Sequence, residues 1–281
     1  MTEHQAAMLH LLGEADRICR KYKIKYMLFA GSLLGAVRHK GFIPWDDDLD
    51  IIMLRPEYEK FLDAAEAELD SAAFFLQRDY SVHWPMFFSK LRLQGTAAIE
   101  KYHPKDTAMH QGIYIDIFPC DNLSDSKLRR RLQFLASKVV IAKSLYRRGY
   151  ETDSLLKELF IQACRPLPLR PFLLLTQLGG YDNTENVHCF LGAAHSYSKS
   201  VFPRQWFTET IEIPFEGQTY PISAHYDSLL TRLYGDYMTL PPEKARAAKV
   251  HAVIVDIHSS YTKYLKQQEE MEIKCYQRSI R

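Results

Sequence analysis

Apolar residues recur at helical spacing near the amino terminus, at Met8, Leu11, Leu12, Ala15, Ile18, Cys19 and Tyr22. Thr2 and Gln5 stand ahead of them with the spacing of a capping box, so the pattern predicts a first helix that packs on a sheet. The period then drops to two: Ile24, Tyr26, Leu28 and Ala30 alternate with Lys23, Lys25, Met27 and Phe29, as in a partly buried strand. Gly31-Ser32 makes a small-residue turn, Leu33 to Lys40 reads as a short helix, and Gly41 ends it. A second apolar run, Leu49 to Met53, follows as the next strand, with Asp48 and Asp50 on one face and Leu49 on the other.

Further along, Pro56 suits a first helical turn, and Tyr58, Phe61, Leu62, Ala65 and Leu69 form the apolar face behind it. Phe74 to Gln77 and Met86 to Leu93 read as strands. The second of these puts Phe88, Lys90 and Arg92 on one face, before a Gly95-Thr96 turn. Gly112 to Pro119 is another strand, in which Asp116 shares a face with Tyr114 and Phe118 and lies amid isoleucines. A carboxylate so placed needs a cation, a metal or a hydrogen-bond network. From Ser126 to Arg148 the spacing predicts a helix with Leu128, Leu132, Leu135, Val139 and Ala142 inside and Arg129, Arg130, Arg131, Lys138, Lys143, Arg147 and Arg148 outside. That basic face is either solvated or turned to phosphate-rich acceptors or anionic lipid. Ser154 to Ala163 is a further helix, and the prolines at 166, 168 and 171 mark a break. The apolar patch Pro171 to Leu178 is too short to span a bilayer and is expected as a buried helix, with docking on a membrane surface as the alternative. Pro241-Pro242-Glu243 suits a last helix start, with Val250, Val253, Ile254, Ile257 and Tyr261 as its stripe.

These elements amount to an α+β chain: a mixed β-sheet flanked by helices in residues 1–125, and a mainly helical part in 126–281. With 281 residues, 47% hydrophobic and 25% charged, it has enough apolar material for a substantial core, and a formal charge of +2 offers no general pull towards nucleic acid. Five widely spaced cysteines without a C-x-x-C pair argue against a disulfide framework or a structural zinc site and fit a reducing cytosol. The first residues do not read as a secretory signal. Localisation is therefore expected to be cytoplasmic, with the inner face of the membrane as an alternative.

Charge density singles out one place. Asp46, Asp47, Asp48 and Asp50 bring four acids into five residues, and such neighbours raise one another's pKa unless a cation neutralises them. Mg²⁺, or alternatively Mn²⁺, is the candidate, being commonly held by one or two carboxylates together with substrate phosphates. The helix start near Gly31 and Ser32 would aim backbone N–H groups at a phosphate, and Arg38 and Lys40 could neutralise it.

The run Gly31-Ser32 … Asp48-Leu49-Asp50-Ile51 resembles the nucleotidyltransferase-fold signature, and the longer string from Leu33 to Asp50 resembles the LicD family of phosphocholine transferases, to which the fukutin-type transferases are distantly related. The likeness covers roughly residues 8 to 121 and 202 to 261, including Phe202-Pro203, Ile213-Pro214-Phe215-Glu216-Gly217, Leu233-Tyr234-Gly235-Asp236-Tyr237-Met238 and Leu240-Pro241-Pro242. It implies a nucleotidyltransferase-like core in 1–125, completed by 126–281. It also implies Asp48 and Asp50 as metal ligands, Asp116 as a third ligand or as the base for the acceptor hydroxyl, and Lys90 or Arg92 near the donor pyrophosphate. His251 lies near a family histidine that is often doubled, although its neighbour here is Ala252. Asp47 is grouped with the substrate contacts. Trp45 is the aromatic face expected to meet a choline cation.

The function implied is Mg²⁺-dependent transfer of phosphocholine, or a related phospho-alcohol, from a CDP-linked donor to a hydroxyl of a cell-surface glycan or teichoic-acid precursor, releasing CMP. The partners expected are that donor and a glycan or lipid-linked glycan, with peripheral membrane contact as a further option and no nucleic acid. Two alternatives remain at this level: transfer of a nucleotide from a nucleoside triphosphate, and a catalytically silent glycan-precursor binding protein.

Overall fold

The computed structural model describes residues 1–102, 109–180, 183–192, 196–242 and 252–265. α1 (Glu3–Tyr22) begins with the expected capping box, in which Oγ1 of Thr2 accepts from the Gln5 amide while the Gln5 side chain accepts from the Thr2 amide. It buries Met8, Leu11, Leu12, Ala15 and Ile18 against a sheet in the order β1 (Met27–Leu28), β2 (Asp50–Leu54), β6 (Tyr114–Asn122), β4 (Ser89–Leu93), β3 (Phe74–Gln77). The sheet is mixed: β2 runs parallel to β6 and the other neighbours pair antiparallel. α3 (Arg55–Glu68) follows β2 directly and packs on the same face as α1; the Tyr58 hydroxyl meets Oγ of Ser89 at 2.6 Å.

Register decides which polar groups meet on the opposite face. Asp50 stands opposite Asp116, Asp116 opposite Lys90, and Lys90 opposite Gln77, so one row crosses four strands. Residues directly paired across a sheet share a face. β5 (Ala97–Glu100) leaves this sheet and pairs with β11 (Ala252–Asp256).

The carboxy-terminal part contributes α4 (Lys127–Arg147), α5 (Leu155–Cys164), α6 (Leu169–Thr176), α7 (Gln205–Thr208) and α8 (Tyr226–Tyr234). It also supplies β7 (Asn186–His188) and β8 (Val201–Pro203), which extend the sheet beyond the end of β6, and the hairpin β9 (Thr210–Phe215) with β10 (Gln218–Ser223). The hairpin turn braces the chain after α2 (Ala30–His39), where Oε1 of Glu216 accepts from the Phe42 amide at 2.9 Å. A Cβ on Gly41 would meet that same oxygen at 2.2 Å, so any side chain there would push the Glu216 carboxylate off the Phe42 amide.

Five expectations need correction. α2 starts at Ala30, three residues before the predicted start, because the strand ends at Leu28. Met86 to Phe88 are not strand; Trp84 Nε1 donates to the Phe88 carbonyl at 2.7 Å and folds that stretch over itself. α4 is rotated from its predicted orientation: Leu128, Leu132 and Leu135 face solvent, whereas Gln133, Ala136, Ser137 and Val140 are buried. The Gln133 amide explains the rotation, since it accepts from the Ser124 N–H at 2.9 Å and donates to the carbonyls of Asn122 and Thr176 at 2.9 and 3.1 Å. Small neighbours then admit α6 closely. α6 is only half-buried, with Leu174 exposed. Finally, Val253 and Ile254 belong to strand β11 rather than a helix, as suits a β-branched run Val253-Ile254-Val255 lying along the edge of β5. The start of that predicted helix from Glu243, together with Val250 and His251, lies outside the described residues.

Candidate active site

Helix α2 and the acid loop are held together from below. Oγ of Ser32 is buried and accepts from the Asp50 amide at 2.8 Å, while the Phe29 amide donates to the Asp50 carbonyl at 3.0 Å. The first turn of α2 and the start of β2 are thus one unit, and the Ser32 hydroxyl serves the backbone of an acid. Gly31 lies so close to the loop that a Cβ there would sit 2.7 Å from Oδ2 of Asp46. Ala30 adopts φ +45°, the kind of local strain that proteins tend to keep at functional sites. From the other side, Nε2 of Gln5 donates to the Ile43 and Asp46 carbonyls at 3.3 and 3.4 Å, and Oδ2 of Asp47 accepts from the Ala252 amide at 3.2 Å.

A cleft of about 490 Å³ opens over this unit. Gly31, Arg38, Trp45, Asp46, Asp48 and Asp50 form one wall. Nη1 of Arg38 donates to the Tyr237 carbonyl at 2.6 Å and so ties that wall to the opposite one. The opposite wall is Tyr234, Asp236, Tyr237, Thr239 and Pro241, from the end of α8 and the segment after it. Gly235 makes the bend at φ +73°, ψ −124°, a region essentially closed to other residues. These second-wall residues were legible only as blocks of family likeness; the signal that could have found them is a Tyr-Gly-Asp-Tyr cluster at a helix end.

Electrostatically the cleft floor is unbalanced. Burial first, and then the charges of Asp48, Asp116 and Asp46, push the Asp50 carboxyl well above the usual range, with Lys90 only partly opposing them. Burial likewise raises Asp116, against the pull of Lys90. Burial and the same loop acids raise the Tyr234 phenol. Nζ of Lys90 lies 2.9 Å from Oδ1 of Asp116, but too obliquely to count as a hydrogen bond to that buried oxygen. The ammonium also sits over the Tyr114 ring, 3.2 Å from its centroid.

Lys90 and Arg92, expected near a pyrophosphate, are buried in a network of their own. Glu100 receives Lys90 and Arg92 at 3.4 Å each and Arg148 at 3.3 Å, while Arg92 also donates to Gln77 at 2.6 Å and to the Gly112 carbonyl at 2.8 Å. Burial alone would raise the Glu100 carboxyl, yet Lys90, Arg148 and Arg92 outweigh it and hold it at about 2. Lys40 is the exposed cap at the far end of α2, with φ +60°. Gly31, Arg38, Trp45, Asp48 and Asp50 therefore meet in one cleft. Asp116 adjoins it through Asp50, and Ser32, Asp47, Lys90 and Arg92 stand behind it.

Among the described residues no three His, Cys, Asp or Glu side chains close around a common point as a metal cage. Asp48 and Asp50 instead line the cleft with hard oxygens, and burial together with the repulsion of Asp48, Asp116 and Asp46 raises the Asp50 carboxyl, which fits an open Mg²⁺ site completed by phosphate oxygens and water.

Comparison with known proteins accords with this geometry. Residues 23–130 match the LicD/FKTN/FKRP nucleotidyltransferase-domain family. The chain is 30% identical over 263 residues to the lipopolysaccharide cholinephosphotransferase LicD of Haemophilus influenzae, covering 87% of this chain and 93% of that relative. Shorter likenesses, 48% over 52 residues and 49% over 45 residues, link it to uncharacterized proteins of Rickettsia typhi and Rickettsia prowazekii; they cover 18% and 16% of this chain and 17% of each relative. The described helices include none long and apolar enough to cross a membrane. With 30% identity over nearly the full length of one member and a site built from the residues that carry the motif, this chain belongs to the LicD family.

Proposed function

We propose that this chain transfers phosphocholine from a CDP-linked donor, CDP-choline in first place, to a hydroxyl of a cell-surface glycan precursor such as lipopolysaccharide, releasing CMP. The observation that carries the reading is the make-up of the cleft: acids at one end, and Trp45, Tyr234 and Tyr237 along its walls. A phosphocholine group needs both features, a cation beside its phosphate and aromatic faces for its quaternary ammonium. The extensive likeness to a cholinephosphotransferase of lipopolysaccharide supports the choice of group and acceptor.

In this reading Asp48 and Asp50 hold Mg²⁺. When bound, the ion offsets the negative charge that builds on the phosphate oxygens and the departing nucleotide. Backbone N–H groups in the first turn of α2, at Gly31, orient a phosphate, and Arg38 adds positive charge on the same wall. Asp116, in register with Asp50, is a further oxygen ligand or the base that accepts the proton of the attacking hydroxyl. With Oδ1 against Lys90, Oδ2 is the oxygen we assign to that role. Lys90 keeps Asp116 oriented rather than touching the donor.

The test is incubation with CDP-choline, CDP-ribitol or CDP-glycerol, Mg²⁺ and a glycan acceptor, with CMP release as the readout. CMP from CDP-choline alone supports the reading, and CMP from another donor moves it to that phospho-alcohol. No CMP from any donor overturns it. A product carrying a nucleotide in its mass spectrum would instead establish the nucleotidyl-transfer alternative.

A further inference from the structure

α4 exposes leucines that its own sequence pattern would bury. Leu128, Leu132 and Leu135 lie on one helical stripe, and Leu128 and Leu135 are 68% and 61% exposed. The continuation of the same stripe, at Val139 and Tyr146, is covered by Ile161 and Cys164 of α5. α5 then turns its own outer side to solvent: Leu155 and Leu156 are 72% and 80% exposed, and Leu159 and Phe160 are exposed beside them. A helix of ten residues that hides only Ile161 and Cys164 while displaying four large apolar side chains is not oriented by the core beneath it. Large contiguous apolar patches on a protein surface mark interaction sites.

The charge around this patch identifies the occupant. The segment Lys127–Arg170 holds eleven Lys and Arg against three Asp and Glu, whereas the whole chain has a formal charge of only +2. Lys143 and Arg148 are consumed in internal hydrogen bonds, but Lys127, Arg129 and Arg131 stand exposed on α4, beside the leucines of the patch. Helices with exposed leucine and phenylalanine, rimmed by arginine, match an anionic bilayer: the apolar side chains enter the headgroup boundary and the cations meet lipid phosphates.

We propose that α4 and α5 form a peripheral docking surface for an anionic phospholipid bilayer. The surface is separate from the cleft, which α2, the acid loop and the end of α8 enclose, so binding and turnover can be altered independently.

The full chain is sedimented with vesicles of equal phosphatidylglycerol and phosphatidylethanolamine, and in parallel with phosphatidylcholine vesicles. Binding to the first, weakened by salt, and little binding to the second are expected. Arg129→Gln with Arg131→Gln should weaken binding about thirtyfold, at ~1 kcal/mol for each arginine near the surface. Leu156→Ser with Leu159→Ser should abolish it at every salt concentration. Both variants should melt like the parent and release CMP from CDP-choline at the parent rate with a water-soluble acceptor, if that activity holds; vesicle binding is read whether or not it does. Failure to bind anionic vesicles, or equal binding to both vesicle types, overturns the proposal. So does an oligomer in the parent that Leu156→Ser and Leu159→Ser dissolve without any vesicle binding in either, since the patch would then be a contact between copies.

Discussion

Strand β6 carries two buried carboxylates five residues apart, Asp116 and Asp121, and they live in opposite electrostatic conditions. Burial alone would raise Asp121, but Arg55 forms two parallel hydrogen bonds with it, at 2.7 and 2.8 Å, and brings its carboxyl below the usual range. Asp116 keeps a raised carboxyl beside Asp50, with Lys90 shared between it and Glu100. One end of the strand is neutralised within the fold. At the other end Asp116 faces Asp50 at the floor of a cleft, where Lys90 only partly opposes the acids. This contrast distinguishes the acid balanced within the fold from the one proposed to work at the cleft better than burial does, since both are buried.

The strongest way to break the contrast is to remove charge at the working end. Asp48→Asn and Asp50→Asn keep shape and remove the negative charge proposed to hold Mg²⁺, so CMP release should fall at least ~10³-fold, in keeping with the several kcal/mol that a metal contributes to transition-state stabilisation. The fold should persist. Asp50→Asn should melt no lower than the parent in metal-free buffer, because the substitution relieves repulsion from Asp48, Asp116 and Asp46. Turnover within tenfold of the parent in either variant would remove these acids from the chemistry.

Asp121→Asn is the mirror image. It leaves Arg55 buried without its partner, and removing one member of a buried pair costs about 3–5 kcal/mol. A large drop in melting temperature with normal turnover per folded molecule is expected. If Asp121→Asn instead spared stability and lost activity, the assignment of the two ends would be reversed.

How far these roles could be read from the sequence differs along the chain. The capping box, the strand and acid motif at Asp48-Leu49-Asp50 and the lone carboxylate of Asp116 were all legible, because period and local charge set them. α4 was not. Its leucine stripe points to a buried face by pattern alone, whereas the face it buries is chosen by Gln133, whose amide serves backbone groups at the end of β6, in the loop after it and in α6. β11 was misread for a related reason: pairing with β5, about 150 residues earlier in the chain, decides between helix and strand for an apolar run of that length. Lys90 and Arg92 were expected at a ligand because the partner that consumes them, Glu100, lies on a strand the pattern did not reveal. The second wall of the cleft comes from residues some 190 positions beyond the acids, so no local signal could place it there.

The contrast also has a pH signature of opposite sign at the two ends. Asp50 binds its proton more tightly folded than unfolded, so the metal-free protein loses stability as pH rises from about 4, the ordinary Asp value, towards the raised folded value. Asp121 binds its proton less tightly folded, so its contribution is present above about 4 and is lost as pH falls below. Glu100 behaves in the same way, with its contribution lost as pH falls from the ordinary Glu value near 4.5 towards about 2. Melting curves against pH for the parent, Asp50→Asn and Asp121→Asn isolate the two slopes. Added Mg²⁺ should flatten the Asp50 slope and leave the Asp121 slope alone, and a Mg²⁺ effect on the latter would break the comparison.

The smallest effect concerns the joint between α2 and the acids. Ser32→Ala removes the acceptor for the Asp50 amide, a buried donor that then has no side-chain partner, and the cost should be about 1–2 kcal/mol. The same change should lower turnover by only about tenfold, because the carboxylates remain while the backbone that aims Asp50 into the cleft loosens. The direction of the KM change distinguishes what Ser32 does. If its hydroxyl only fixes Asp50, kcat falls, the KM for the donor barely moves, and the apparent affinity for Mg²⁺ weakens. If the hydroxyl also donates to a donor phosphate, KM rises by a similar factor. Steady-state kinetics on Ser32→Ala and Ser32→Thr, the second restoring the acceptor in place, will show which. We expect kcat to recover in Ser32→Thr, because its buried position calls for an oxygen that receives the Asp50 N–H and α2 tolerates a β-branched residue in its first turn.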